Sequence, residues 1–141
     1  MIKYQAKICK DGKSYSVEFP DLPGCFSMGD TLEEAKTMAS EALSLYLEEA
    51  RDPQWKVPKA KTRKGKNYYW ISPDSSVGIA LQLRQVRIKL SLTQSVAAKK
   101  LGITIQQLQK LETPGKSNPT VKTLAKFSQA FDIKLEIDLV A

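Results

Sequence analysis

The sequence contains no histidine. The side chain most often used as acid and base near neutral pH is therefore absent, and no other catalytic set stands out. Cysteine is scarce as well: Cys9 and Cys25 are the only two. Two thiols without an imidazole offer no zinc-ligand set of usable spacing, and a reduced, packed pair is expected rather than a disulfide. No apolar run approaches the roughly 18 residues that a membrane-spanning helix needs. The first residues, MIKYQAKICKDGK, lack the unbroken hydrophobic core of a signal peptide, which predicts a cytoplasmic protein.

What charge there is divides sharply along the chain. Residues 1–55 carry six basic and ten acidic side chains, a net of −4. Residues 56–66, KVPKAKTRKGK, carry six basic and no acidic ones. Residues 84–126 carry nine basic side chains against Glu112 alone, a net of +8. An acidic front and a basic back imply two surfaces with two kinds of partner.

Periodicity separates the same two halves. Ile2, Tyr4, Ala6 and Ile8 alternate with polar residues, as do the residues of YSVEF, and the intervening Asp-Gly suits a tight turn, so a β-hairpin opens the chain. PDLPGCFSMGD allows only a short strand near Cys25–Met28. Thr31 and Glu34 form a T-x-x-E capping box, starting a helix that should run to about Arg51, with Ala35, Met38, Ala39, Ala42, Tyr46 and Ala50 on its apolar stripe. YYWISP reads as a further strand, its aromatics assigned to the sheet core. The basic run before it reads as a solvated loop, and the alternative is an extra contact with DNA or RNA, with Tyr68, Tyr69 and Trp70 as stacking faces. After Ser72-Pro73-Asp74 the period becomes 3.6: helices are expected from about Ser75 to Leu90 and from Thr93, Thr104 and Thr120. IKLEIDLV closes the chain as a strand with one apolar face and no partner in its own half, which suggests pairing with a second copy. The fold class is α+β: a β-β-β-α-β layer over residues 1–72, then an all-α unit with a C-terminal strand over residues 75–141.

The segment Thr93–Glu112 meets the steric demands of a helix-turn-helix. Ala98 gives a small residue where two helices cross, Gly102 suits a left-handed turn, and Leu101, Leu108 and Leu111 anchor both helices. Its outer face offers Thr104, Ile105, Gln106, Gln109 and Lys110, side chains suited to base edges and phosphates. The motifs LSLTQ, AAKKLGIT, LQKLE and GKSNPTVKTLAKFSQAF resemble the lambda-repressor, Cro-like (XRE-type) DNA-binding family over Leu83 to about Ile133. That resemblance implies backbone contacts from Gln94 and Thr104, base contacts from Ile105, Gln106, Gln109 and Lys110, and a phosphate contact from Lys116. The position of Ile105 is more often polar in that family, so base preference does not carry over. Binding as a dimer to two-fold double-stranded operator DNA is the expected mode.

The front half, through FPDLPGCFSMGDTLEEAKTMASEAL, resembles the amino-terminal domain of HicB-type antitoxins over about residues 1–72. The resemblance implies a degenerate ribonuclease-like layer that masks a small basic ribonuclease toxin, HicA, joined to a domain repressing the shared operon as a dimer or higher oligomer. Asp21, Asp30, Glu33 and Glu34 are the candidate toxin contacts, although acidic residues at a helix start also serve the helix itself. No metal or cofactor is expected. Two other readings stand beside this one. A free-standing transcription regulator would use the front layer to sense a ligand or to dimerise. A metal-dependent nuclease would need Asp21 or Asp30 for RNA cleavage.

Overall fold

The computed structural model describes all 141 residues. The opening hairpin forms from β1 (Tyr4–Asp11) and β2 (Ser14–Glu18), with Lys7 opposite Glu18 and Gly12 in the left-handed turn conformation. β3 (Phe26–Gly29) pairs with β2, and β4 (Tyr68–Ile71) pairs with β1 on its other side. All pairings are antiparallel and the sheet order is β3-β2-β1-β4.

One helix, α1 (Leu32–Glu48), covers a single face of this sheet. The Thr31 hydroxyl accepts the Glu34 amide at its start, as the capping box requires. Its fully buried ridge is Ala35, Ala39, Leu43 and Leu47, each four residues apart, while Met38, Ala42 and Tyr46 flank it only half-buried. The expected stripe was therefore rotated toward one side of the true one, and the helix ends at Glu48 rather than near Arg51. Gly29 is needed where β3 meets this helix: a Cβ there would stand 2.5 Å from the Ala35 backbone nitrogen.

Four helices follow: α2 (Ser75–Lys89), α3 (Gln94–Leu101), α4 (Ile105–Leu111) and α5 (Val121–Phe131). Each of α3, α4 and α5 is capped by the side chain of the threonine immediately before it: Thr93, Thr104 and Thr120. They enclose a second core of Leu83, Ala97, Ala98, Leu101, Leu108, Phe127 and Phe131. α2 begins directly after the junction expected at Ser72–Asp74 and packs on both cores. Val77 and Leu81 of α2 enter the first core, with Tyr4, Phe19 and Leu43, while Leu83 enters the second.

The C-terminal strand does not form in the single chain. The Ile133 amide and carbonyl both bond to Ser128, and residues 134–141 run on exposed and without ladder partners. A strand exists only as a pair, and residues 134–141 pair with no strand of the sheet.

Two arginines on α2 tie the halves together. Arg84 is 2% exposed and donates to the carbonyls of Ala50, Asp52 and Glu112 at 2.8, 3.2 and 2.9 Å. Arg87 is 1% exposed and grips the Glu112 carboxylate, Nε to Oε2 at 2.8 Å and Nη2 to Oε1 at 2.9 Å. It also donates to the carbonyls of Leu92 and Pro53. Breaking such a pair from one side strands a buried charge. Arg87→Met is expected to cost roughly 3–5 kcal/mol in urea unfolding, and adding Glu112→Leu should recover a large part of it. A single variant as stable as the parent would show that the pair is dispensable.

Candidate nucleic-acid and partner interfaces

The turn between α3 and α4 has the backbone its sequence predicts. Gly102 adopts φ 68° and ψ 32°, and its amide closes on the carbonyls of Ala98 and Lys99. Any side chain there would be forced into the left-handed region. Thr104 then starts α4 with a reciprocal cap: its hydroxyl accepts the Gln107 amide at 3.1 Å, and the Gln107 side chain accepts the Thr104 amide at 2.9 Å. The Thr104 hydroxyl is thus already engaged within the chain.

The other expected nucleic-acid residues separate by exposure. Gln106, Gln109 and Lys110 stand exposed on the outer face of α4, and Lys116 is exposed on the following turn. Ile105 is half-buried against the second core, so part of its surface serves packing. Gln94 lies beside this face: its side chain donates to Glu112 and accepts from Gln109, both at 3.5 Å. Sequence reasoning missed one neighbour. Arg51, from the turn after α1, lines a polar concavity with Gln94, Gln109, Glu112 and Thr113. No spacing rule connects Arg51 to α4, because only the packing of α2 brings them together.

The four acidic candidates of the front layer do not act alike. Asp21 is held inside: its side chain is 4% exposed, pairs with Arg63 at 2.8 Å and accepts the Lys61 amide at 2.9 Å. The Arg63 guanidinium holds the Asp21 carboxyl below the usual carboxylate range. The basic run is accordingly not a free loop. Tyr4 donates to the Pro58 carbonyl, Gln5 bonds both the amide and the carbonyl of Arg63, and Val57 and Ala60 pack on the first core. Lys59, Lys61, Lys64 and Lys66 remain exposed along this strap.

Asp30, Glu33 and Glu34 stay at the surface where β3 turns into α1. Glu34 accepts the Asp30 amide at 3.2 Å, so it caps the helix, while the Glu33 side chain is 84% exposed. Beside them the edge strand β3 presents Phe26 and Met28, 65% and 64% exposed. At the opposite edge Trp70 is also open, under the Lys3 ammonium 4.8 Å from its ring, whereas Tyr69 packs on the first core. Trp70 thus departs from the core position expected of it. Both cysteines are free; burial pushes the Cys25 thiol up to about 11, away from nucleophilic use. No three His, Cys, Asp or Glu side chains are grouped to hold a metal ion, and no helix is long and apolar enough to cross a membrane.

The family model described as the HicB-like antitoxin of bacterial toxin–antitoxin systems matches residues 4–112. The chain belongs to this family of antitoxins. The match runs from β1 to Glu112, so it takes in the sheet, α1 and the whole arginine link. An antitoxin HicB 2 of Photorhabdus laumondii is 27% identical over 140 residues, covering 96% of this chain and 95% of the relative. An antitoxin HicB 1 of the same organism is 27% identical over 125 residues, 89% of this chain and 78% of that protein. A 14.9 kDa protein of Haemophilus phage HP1 is 44% identical over 57 residues, 40% of this chain and 43% of its own length. The antitoxin's role is regulatory and not enzymatic, which sets aside the nuclease alternative.

The Asp21–Arg63 tie has a defined pH dependence. A carboxyl whose folded pKa is depressed contributes fully above its unfolded value and loses that contribution as pH falls through the folded one. In a carboxyl-carbon NMR titration Asp21 should titrate below the ordinary range, and Arg63→Ala should return it toward that range. An ordinary value in the parent protein would mean that the strap is not fastened there.

Proposed function

We propose that this antitoxin masks a HicA-type ribonuclease toxin with its front layer and represses its own operon by binding double-stranded operator DNA through α3 and α4. The observation that carries the DNA half is the outer face of α4. Gln106, Gln109 and Lys110 project from a helix whose other side is anchored by buried Leu108, within a segment of net charge +8. Glutamine and lysine read base edges and phosphates, and α3 with its Gly102 turn sets the angle at which α4 is offered, as in a helix-turn-helix. Lys116 and Gln94 then face the backbone on either side.

The toxin half rests on the β3 edge. Phe26 and Met28 give an apolar centre, and Asp30, Glu33 and Glu34 give an acidic rim suited to a basic partner. Asp21 is not part of this surface; it fastens the strap. Two copies act together: the tails Ile133–Val140 supply alternating apolar residues, with Leu139 95% exposed, and pairing them as strands joins two reading heads on a two-fold site.

Co-expression with the product of the adjacent gene tests the first half. The two proteins should purify as a complex without RNA cleavage, and the double change Asp30→Lys with Glu33→Lys should weaken it by roughly tenfold or more through charge reversal. A complex indifferent to that change would move the interface elsewhere. For the second half, Gln106→Ala and Lys110→Ala should each weaken binding to the protein's own promoter by roughly 1–3 kcal/mol. Removal of residues 134–141 should reduce the bound stoichiometry from two copies to one. Unchanged affinity in both point variants, with the fold intact, would remove α4 from base reading.

A further inference from the structure

We propose that Arg51, a residue of the toxin-binding half, clamps a phosphodiester of the DNA backbone in the polar pocket beside α4; the inference rests on the DNA-binding reading above. The pocket encloses about 210 Å³ between Arg51, Arg84, Gln94, Gln109, Glu112 and Thr113, with Pro53 at its side. No apolar side chain other than that proline lines it, so it has nothing to offer an aliphatic ligand.

Its charge is positive once partners are counted. Glu112 is the one acidic side chain in the wall, and its carboxylate is gripped by Arg87 from behind. Arg84 forms the floor with a buried guanidinium whose three bonds all go to neutral carbonyls, so its charge meets no anion of its own. Arg84 Nε has no hydrogen-bond partner at all. Arg51 is exposed and makes no ion pair within the chain. Asp52, next to it, directs its carboxylate to the Gln54 amide.

The mount of Arg51 is rigid. The carbonyls on both sides of it, Ala50 and Asp52, are held by the same Arg84 nitrogen, at 2.8 and 3.2 Å, and its own amide bonds to Glu49 at 2.8 Å. The Thr113 hydroxyl is spent on the Gln109 carbonyl at 2.6 Å, and the Gln94 and Gln109 amides each give one N–H to a neighbour at 3.5 Å and keep the other. A long cationic side chain on a fixed base beside those two amide groups fits one phosphate, with the Arg51 fork as its main donor. Contacts of this kind fix register on a duplex without reading sequence.

The test is fluorescence anisotropy of the full chain with two duplexes of equal length, one from its own promoter and one unrelated, across a salt series. Arg51→Ala should weaken both by the same factor and lower the log–log salt slope by about one, and Arg51→Lys should restore the slope. Capture of the adjacent-gene product should not change. Equal affinity and slope in Arg51→Glu, alongside weakened binding by Lys110→Ala, would overturn the inference and leave α4 as the reader. Weaker binding of Arg51→Ala at an unchanged slope would also overturn it, since Arg51 would then only position α4. Failure of the parent protein to bind either duplex would remove the DNA reading and this inference with it.

Discussion

The buried pairing of Arg87 with Glu112, and of Arg84 with the carbonyls around it, is the constraint on which the rest of the molecule depends. Glu112 closes the end of α4; Ala50, Asp52 and Pro53 form the turn that leaves α1. Both sets of groups converge on two side chains one turn apart on α2. Separating the halves would strip Arg84 and Arg87 of the Ala50, Asp52 and Pro53 carbonyls, while the Arg87–Glu112 pair, which orients both arginines toward that turn, would stay within the back half. The protein therefore presents its two faces at one fixed relation, with α2 contributing to both cores.

That relation matters because the two surfaces have opposite character. The front edge combines exposed Phe26 and Met28 with carboxylates, and the back face combines amides and lysines. The two surfaces therefore differ in the sign of the field that they present to solvent. The strap of residues 56–66 follows the same logic: its lysines lie outward while Asp21 and Gln5 hold its backbone inward.

Much of this was legible in the chain because it depends on near neighbours. Thr31, Thr93, Thr104 and Thr120 announce helix starts because a cap is made within three residues. Gly12 and Gly102 mark turns because their dihedral angles are local property. The alternation in β1 and β2 and the family resemblance of the front half needed no more than order and spacing. The stripe of α1 is less legible, since alanine, methionine and leucine all fit an apolar pattern and only the sheet beneath selects Leu43 and Leu47 over Met38 and Ala42.

The helix starts, the opening hairpin and the division of charge follow from composition and near neighbours, and the resemblance to HicB-type antitoxins rests on the order of short motifs. Tertiary structure alone decided where Asp21, Arg84 and Arg51 act, because each is defined by a partner distant in the chain. It withdrew Asp21 from the acidic rim, turned Arg84 into a buried tie and carried Arg51 to the side of α4. It also left Ile133–Val140 without a strand, for the same physical reason: periodicity gives a segment the capacity to pair, and the partner, which this single chain does not contain, supplies the ladder.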